Sequence, residues 1–289
     1  MLLLTGATGR TGSCIAKEFI DHGVPVRLLV RDRLKADWYR GIPTIEVVDG
    51  DMAVPSSLVH ALRGVTRVLM VSSPALDMAR TQIRFIDACR SAGVRHLIKL
   101  SGLNAGRETT FVFSNMHKQV EEHLRASGMA WTSLRPTGFM QEYIKEAPSV
   151  VNDDSLYLAL DDVKLSPVDL ADVGKVAFRL LRDGGHEGEA LPMTGPELLG
   201  MADIAMHLSA ATGRRIRYVP VSPLERWRAL VAAGVPTEVA DALDKQVHER
   251  LQRGAESTID LSTHQRFDIS PTPFGEFARR HAADFGAGR

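Results

Sequence analysis

The chain has 289 residues, 44% hydrophobic and 24% charged, which is enough for one large domain or two unequal ones with a substantial core. Lys plus Arg and Asp plus Glu balance at 35 each, so nothing in the composition favours nucleic acid or an acidic membrane surface. Cys14 and Cys89, the two cysteines, lack any CxxC or His-rich neighbourhood and read as buried reduced thiols, which excludes a disulfide framework and a metal site as expectations. No stretch approaches about 18 apolar residues and the N-terminal run is short and lacks basic residues before it, so the expected compartment is the cytoplasm.

In chain order, Met1–Leu4, Val24–Val30, Thr44–Val48, Arg67–Val71, Val94–Leu100 and Trp131–Arg135 read as strands, several of them nearly all apolar, as strands covered on both faces must be. Helical patterns separate them at Thr11–His22, Ser56–Arg63, Leu76–Ala92 and Phe113–Ser127. Gly23, Gly64, Gly93 and Gly128 each follow one of these helices, where a left-handed C-terminal residue is wanted. Repeated strand–helix units predict an α/β fold, a Rossmann-like doubly wound parallel sheet with right-handed crossovers. After about residue 140 strands become sparse, and helices are expected at Asp169–Arg182, Met201–Thr212, Pro223–Ala233, Glu238–Arg253 and Phe274–Phe285. The expected organisation is a dinucleotide-binding domain over 1–140, joined again by about 164–195, and a mainly helical substrate region within 141–289. The cluster Arg214, Arg215 and Arg217 reads as a solvated face, and Asp169 and Asp172 as caps and turn formers.

Directly after the first strand stands Thr5-Gly6-Ala7-Thr8-Gly9-Arg10-Thr11-Gly12, opening a helix. A dinucleotide site needs this arrangement: Gly6 for the tight turn, Gly9 so the backbone can approach a pyrophosphate, and Gly12 for close packing of helix on strand. Thr8, Arg10 and Thr11 fill the same turn, and the helix amides face the phosphate charge. The second strand ends Arg31-Asp32-Arg33. An arginine there suits the 2′-phosphate of NADP, whereas an acid at this distance reads the ribose of NAD. NADP(H) is the preferred cofactor with Arg31 as reader, NAD(H) the alternative; Asp32 is then expected to turn outward and pair with an arginine. Ser72-Ser73-Pro74 ends the fourth strand, within reach of a cofactor ribose. Pro136-Thr137-Gly138-Phe139 follows another strand end, where open α/β sheets place ligands. Phe139, Met140, Tyr143 and Trp227 are candidates for an apolar substrate pocket, with core packing as the competing reading for each.

The Gly-x-x-Gly-x-x-Gly spacing resembles the atypical and extended branches of the short-chain dehydrogenase/reductase superfamily. Val48-Asp49-Gly50-Asp51, His96–Ser101 (HLIKLS), Trp131–Pro136, Val168–Val173 and Met193-Thr194-Gly195-Pro196 resemble further segments of those branches, whereas Ile259–Pro273 departs from the usual pattern. The nearest likeness is to the NmrA-like group, which includes NAD(P)H-dependent quinone and triphenylmethane-dye reductases and redox-sensing regulators. The resemblance implies that Asp51 contacts adenine, that Ser101 ends a cofactor-facing strand, that Pro136 and Phe139 flank the nicotinamide, and that His117 replaces the usual lysine.

Ketone-reducing members of the superfamily protonate an alkoxide with a tyrosine followed four residues later by a lysine. Here the residues four after Tyr39, Tyr143, Tyr157 and Tyr218 are Pro43, Ala147, Asp161 and Ser222, so the pair does not occur. Quinone reduction tolerates that loss, because hydride addition gives a phenolate-like anion whose conjugate acid has a pKa near about 10 by analogy with tyrosine. A dye cation needs hydride alone. His117, four residues before Glu121, reads either as a cofactor contact and proton donor or as a structural histidine held by Glu121. The expected function is hydride transfer from NAD(P)H to a quinone or related conjugated aromatic small molecule. The alternative is a regulatory NADP sensor with a protein partner and no turnover, and a tailoring isomerase is a third reading.

Overall fold

A computed structural model describes residues 1–288. Its elements, in chain order, begin with β1 (Leu2–Thr5), α1 (Arg10–Asp21), β2 (Val26–Val30), β3 (Ile45–Asp49), α2 (Leu58–Ala61), β4 (Arg67–Met70), α3 (Met78–Ser91), β5 (His96–Leu100), α4 (Val112–Ala126) and β6 (Ala130–Pro136). They continue with α5 (Ala147–Asp153), β7 (Ser155–Leu158), α6 (Leu170–Asp183), β8 (Glu189–Met193), α7 (Met201–Thr212), β9 (Arg217–Pro220), α8 (Pro223–Ala232), α9 (Thr237–Arg253), α10 (Ser262–Arg266) and α11 (Phe274–Arg280). The chain packs as two compact units: residues 1–105, 116–135 and 173–191 make the first, and 106–115, 136–172 and the stretch from 192 onward make the second.

The main sheet has seven parallel strands in the order β3-β2-β1-β4-β5-β6-β8. The chain reverses its direction of growth between β1 and β4, which is where open α/β sheets bind ligands, beyond the carboxyl ends of the strands. The strands are apolar because both faces are covered. Leu3, Val68, Met70 and Leu97 pack with Phe85, Ile86, Val120 and Leu124 on one face. Leu4, Ile15, Phe19, Val176 and Leu180 are also fully buried, and Phe19 meets Phe178 edge-on with ring centroids 4.8 Å apart. The four glycines after the first helices lie at φ 64, 70, 78 and 80°, as a left-handed C-terminal residue requires.

β8 was absent from the six expected strands. Its fourth residue is Pro192, which interrupts a strand pattern but is tolerated at a sheet edge, where β8 lies. The second unit also contains a small parallel pair, β7 with β9, that a helical reading of this region overlooks. Each of those strands has four residues, too few to show a period.

The second unit has its own core: Val150, Leu156, Leu199, Ile204, Leu208, Phe274, Phe277 and Phe285 are buried together. The expected solvated face at Arg214 is a correction. Arg214 donates to the carbonyls of Val150 (2.9 Å) and Val151 (3.2 Å) and to the Asp154 carboxylate, closing the C-terminal end of α5, whose last carbonyls have no helical partner. Asp169 caps α6 by accepting from the Ala171 amide at 2.9 Å, and it also accepts from Gln141 and Arg280. Asp172 accepts from the amide and hydroxyl of Thr272, which pins the segment Ile259–Pro273 to the start of α6. Phe277 is wholly buried and packs against Phe274 at 5.4 Å. Phe277→Ala should therefore destabilise the protein by about 3–5 kcal/mol, read as a lower melting temperature.

Candidate functional site

β1 runs into a turn in which Gly6 sits at φ +67°. A methyl group on Gly12 would lie 2.1 Å from the Gly6 carbonyl oxygen, so only glycine allows α1 to begin this close to the strand. At Gly9 the nearest atom to such a methyl is 3.4 Å away, and the residue is exposed, so its backbone is open to approach. Gly9 precedes α1, whose first turn carries no acidic residue, leaving the amides and the positive end of the helix dipole unopposed. The turn is fixed from below by Thr5, whose hydroxyl bonds Val71 O at 2.6 Å, and from the side by Tyr39, whose hydroxyl bonds Ala7 O at 2.8 Å.

The arginines after β2 differ in their commitments. Arg33 is paired with Asp49 at 2.7 Å, while Arg31 is exposed and has no ion pair among the described residues. Asp32 does not pair with an arginine as expected: its carboxylate accepts from the Leu34 amide at 3.0 Å and starts the short helix Arg33–Tyr39. The geometry thus leaves Arg31 as the available guanidinium. Asp51 follows β3 with one carboxylate oxygen taken by the Ala53 amide. Ser72, after β4, accepts from Gln82 at 2.8 Å, and Ser73 beside it is exposed. The glycine turn, Arg31, Asp51, Ser72, Ser73 and Ser101 all follow carboxyl ends of parallel strands and so share one edge of the sheet.

Beyond β5 the first unit holds a polar network. Glu121 of α4 is almost wholly buried. It accepts from Ser101 Oγ (2.6 Å), from Arg135 Nε (3.0 Å) and Nη2 (2.5 Å), and from Arg125 Nη2 (2.7 Å). Burial works against the charged carboxylate, but the bonds from Arg135 and Ser101 outweigh it and hold the group below the usual carboxylate range. With both oxygens engaged, Glu121 is not the group that holds His117. That partner is Lys99 of β5, whose Nζ lies 2.7 Å from His117 Nδ1 and 3.1 Å from Leu100 O. Burial and then the lysine charge hold His117 well below the usual histidine range, so its ring is neutral. Burial likewise pushes Lys99 down to about 7, Arg135 adding to the effect and Glu121 opposing it.

Lys99 was not singled out from the sequence, although the signal was present: it is the one charged residue amid the apolar residues of β5, and its side chain is 0% exposed. In the second unit, Pro136 is buried and Phe139 is partly exposed, its backbone bridged to Val168. Met140 and Tyr143, offered as pocket walls, instead belong to that unit's core, because the short helix Met140–Glu146 turns them inward. Tyr143 meets Phe274 edge-on at 5.4 Å. Trp227 is partly exposed and donates its indole N–H to Asp241 at 2.8 Å, linking α8 to α9. Among the described residues no cluster of three or more His, Cys, Asp or Glu side chains could hold a metal, and no helix is long and apolar enough to cross a membrane.

A parallel sheet of this order, with a glycine turn between first strand and first helix, defines a dinucleotide-binding protein. The chain belongs to the NAD(P)H-binding family, whose model matches residues 6–184. It is 32% identical to the NAD(P)H azoreductase of Xenophilus azovorans over 99% of this chain and 100% of that protein. It is similar in structure to an NADPH-dependent quinone oxidoreductase of Escherichia coli complexed with NADPH, with a TM-score of 0.86, 26% identity and 97% and 99% of the two chains covered. A triphenylmethane reductase of Citrobacter sp. complexed with NADP(H) shares the fold, with a TM-score of 0.87 at 24% identity over 98% and 100% of the chains.

The buried lysine has a consequence for stability. The unfolded chain holds the Lys99 proton up to its ordinary pKa of 10.5, whereas the folded chain releases it near 7. Between those values the unfolded state binds more protons, so this group's destabilising contribution is full below the window and is relieved as pH rises through it. Lys99→Met should raise the melting temperature, and by more at about pH 6 than at about pH 9.5.

Proposed function

We propose that this protein is an NAD(P)H-dependent reductase of quinones, azo compounds or related conjugated aromatic molecules, working without a tyrosine acid. The observation that carries the reading is the neutral His117 ring, held by Lys99 next to Ser101 at the ligand-binding edge of a dinucleotide-binding sheet. Bound NAD(P)H would supply the hydride. Gly6, Gly9 and Gly12, with Thr8, Arg10 and Thr11, would hold its pyrophosphate. Asp51, Ser72 and Ser73 would line the rest of the dinucleotide, and Ser101 would lie toward its nicotinamide end. Arg31 would bind a 2′-phosphate, which makes NADPH the preferred cofactor: it has no ion pair among the described residues, and Asp32 is occupied in capping.

His117 acts as the proton donor through the ring nitrogen that Lys99 does not engage. A quinone acceptor suits it, because the phenolate-like anion left by hydride addition is delocalised and needs no strong acid, whereas an azo acceptor leaves a more basic nitrogen anion that depends on the donated proton. The second unit serves as the substrate region, with the partly exposed Phe139 as its candidate aromatic contact. Neither Cys14 nor Cys89 is in a disulfide, and the two thiols suit a reducing compartment such as the cytoplasm.

NADPH oxidation against a panel of quinones, azo dyes and conjugated ketones tests the reading, with NADPH binding followed in parallel by fluorescence. Turnover with at least one class is expected. Tight binding without turnover would overturn the enzyme in favour of a sensor acting through a protein partner. Arg31→Ala should weaken NADPH by about tenfold or more and leave NADH nearly unchanged, since a charge-assisted bond to phosphate contributes roughly 1.5–3 kcal/mol. Equal losses for both would exclude Arg31 as the phosphate reader.

A further inference from the structure

A lysine inside a parallel sheet weakens the fold unless an acidic partner compensates it. Lys99 lies in register between Met70 of β4 and Ser133 of β6 and is completely buried. The neighbouring carboxylate, Glu121, already serves Ser101, Arg125 and Arg135. The charged groups that act on Lys99 are Glu121 of α4 and Arg135 of β6, and Lys99 in turn acts on the neutral ring of His117. Ser133, its register neighbour, has a buried hydroxyl with no partner among the described residues. The lysine's hydrogen bonds thus run to a carbonyl and to a histidine nitrogen, a poor return for burying an amine if the role were structural alone.

An ammonium can only donate. While Lys99 carries its proton, Nδ1 of His117 is the acceptor across the 2.7 Å contact, which requires the ring proton to be on Nε2. Resting on the reductase reading above, we propose that Lys99 is the proton reservoir behind His117, the two forming a relay that protonates the oxygen or nitrogen of the reduced substrate. As the substrate gains hydride at one atom, the His117 Nε2–H bond breaks and an O–H or N–H bond forms on the substrate anion. The Lys99 ammonium gives one proton to Nδ1 in the same movement. His117 stays neutral in its other tautomer, and Lys99 is left as the amine. A water molecule then protonates Nε2 and departs to solvent as hydroxide, the Nδ1 proton returns to Lys99, and the starting state is restored. No oxidant or reductant beyond NAD(P)H is required, and no buried charge is created, because the positive charge leaves with the transferred proton.

Lys99 is a positioning and proton-supplying residue that acts through His117, so its test must separate proton supply from folding. The substrates do this: a quinone takes hydride and a proton, and a triphenylmethane cation takes hydride alone. In Lys99→Met, kcat for the quinone should fall by about a hundredfold or more, within the range for general acid catalysis, while dye reduction and NADPH affinity change little. In the wild type, quinone turnover should decline as pH rises through about 7, where Lys99 loses its proton. That limb should be missing in Lys99→Met and the dye profile should lack it in both proteins.

A second measurement requires no turnover. Nitrogen-15 NMR of the His117 ring, assigned against His117→Gln, should show the Nε2–H tautomer in the wild type and a shift toward Nδ1–H in Lys99→Met. Equal losses of quinone and dye reduction in Lys99→Met would reduce Lys99 to a structural residue, and an unchanged quinone rate or an unchanged tautomer would also overturn the relay. Failure of the wild type to reduce any acceptor would overturn the reductase reading instead, with the tautomer still deciding whether Lys99 orders the ring.

Discussion

The first unit is organised around one contact between two pieces of backbone. At Gly12 a single added carbon would sit 2.1 Å from the Gly6 carbonyl, so α1 starts as close to β1 as a chain can come. That closeness brings Ile15 and Phe19 into the core and lets Phe19 reach Phe178 of α6. It also leaves the first amides of α1 without acidic side chains beside them, at the edge of the sheet where the strand order reverses. The same pair of glycines thus sets the packing and opens the amides that the proposed phosphate site would use.

The buried charges of this unit fall into two kinds. Glu121 is compensated on both oxygens and ties β5, α4 and β6 together, and removing any one partner would leave a buried charge short of bonds. Lys99 is compensated far less, and the shift in its pKa toward neutrality records the difference. Tension of this sort persists where it is useful, and functional sites are where perturbed protonation is concentrated. The i,i+4 spacing of His117 and Glu121 suggested a pair along one helix, but α4 turns the carboxylate to the arginines and the ring to the sheet.

In the second unit, polar side chains decide the local architecture. Asp169, Asp172 and Arg214 each join segments far apart in sequence, and each satisfies helix-end or loop backbone that would otherwise be unpaired. Read as surface or capping residues, they give no hint of these second attachments. Met140 and Tyr143 show the same limit from the apolar side, since hydrophobic residues after a strand end suit a pocket wall and a core equally well in sequence.

The sequence by itself determined the dinucleotide-binding fold. The glycine spacing, the apolar runs and the helix-ending glycines act locally, through backbone conformation and a fixed period, and their meaning survives without knowledge of neighbours. The missing tyrosine–lysine pair was equally legible and narrowed the chemistry. Tertiary structure alone decided that Lys99, not Glu121, holds His117, that Arg31 has no ion pair among the described residues where Arg33 is paired, and that Pro192 lies on an edge strand. Those outcomes depend on which groups meet across strands and helices remote in the chain, and a hydrogen bond or ion pair is fixed by distance in space rather than by separation in sequence.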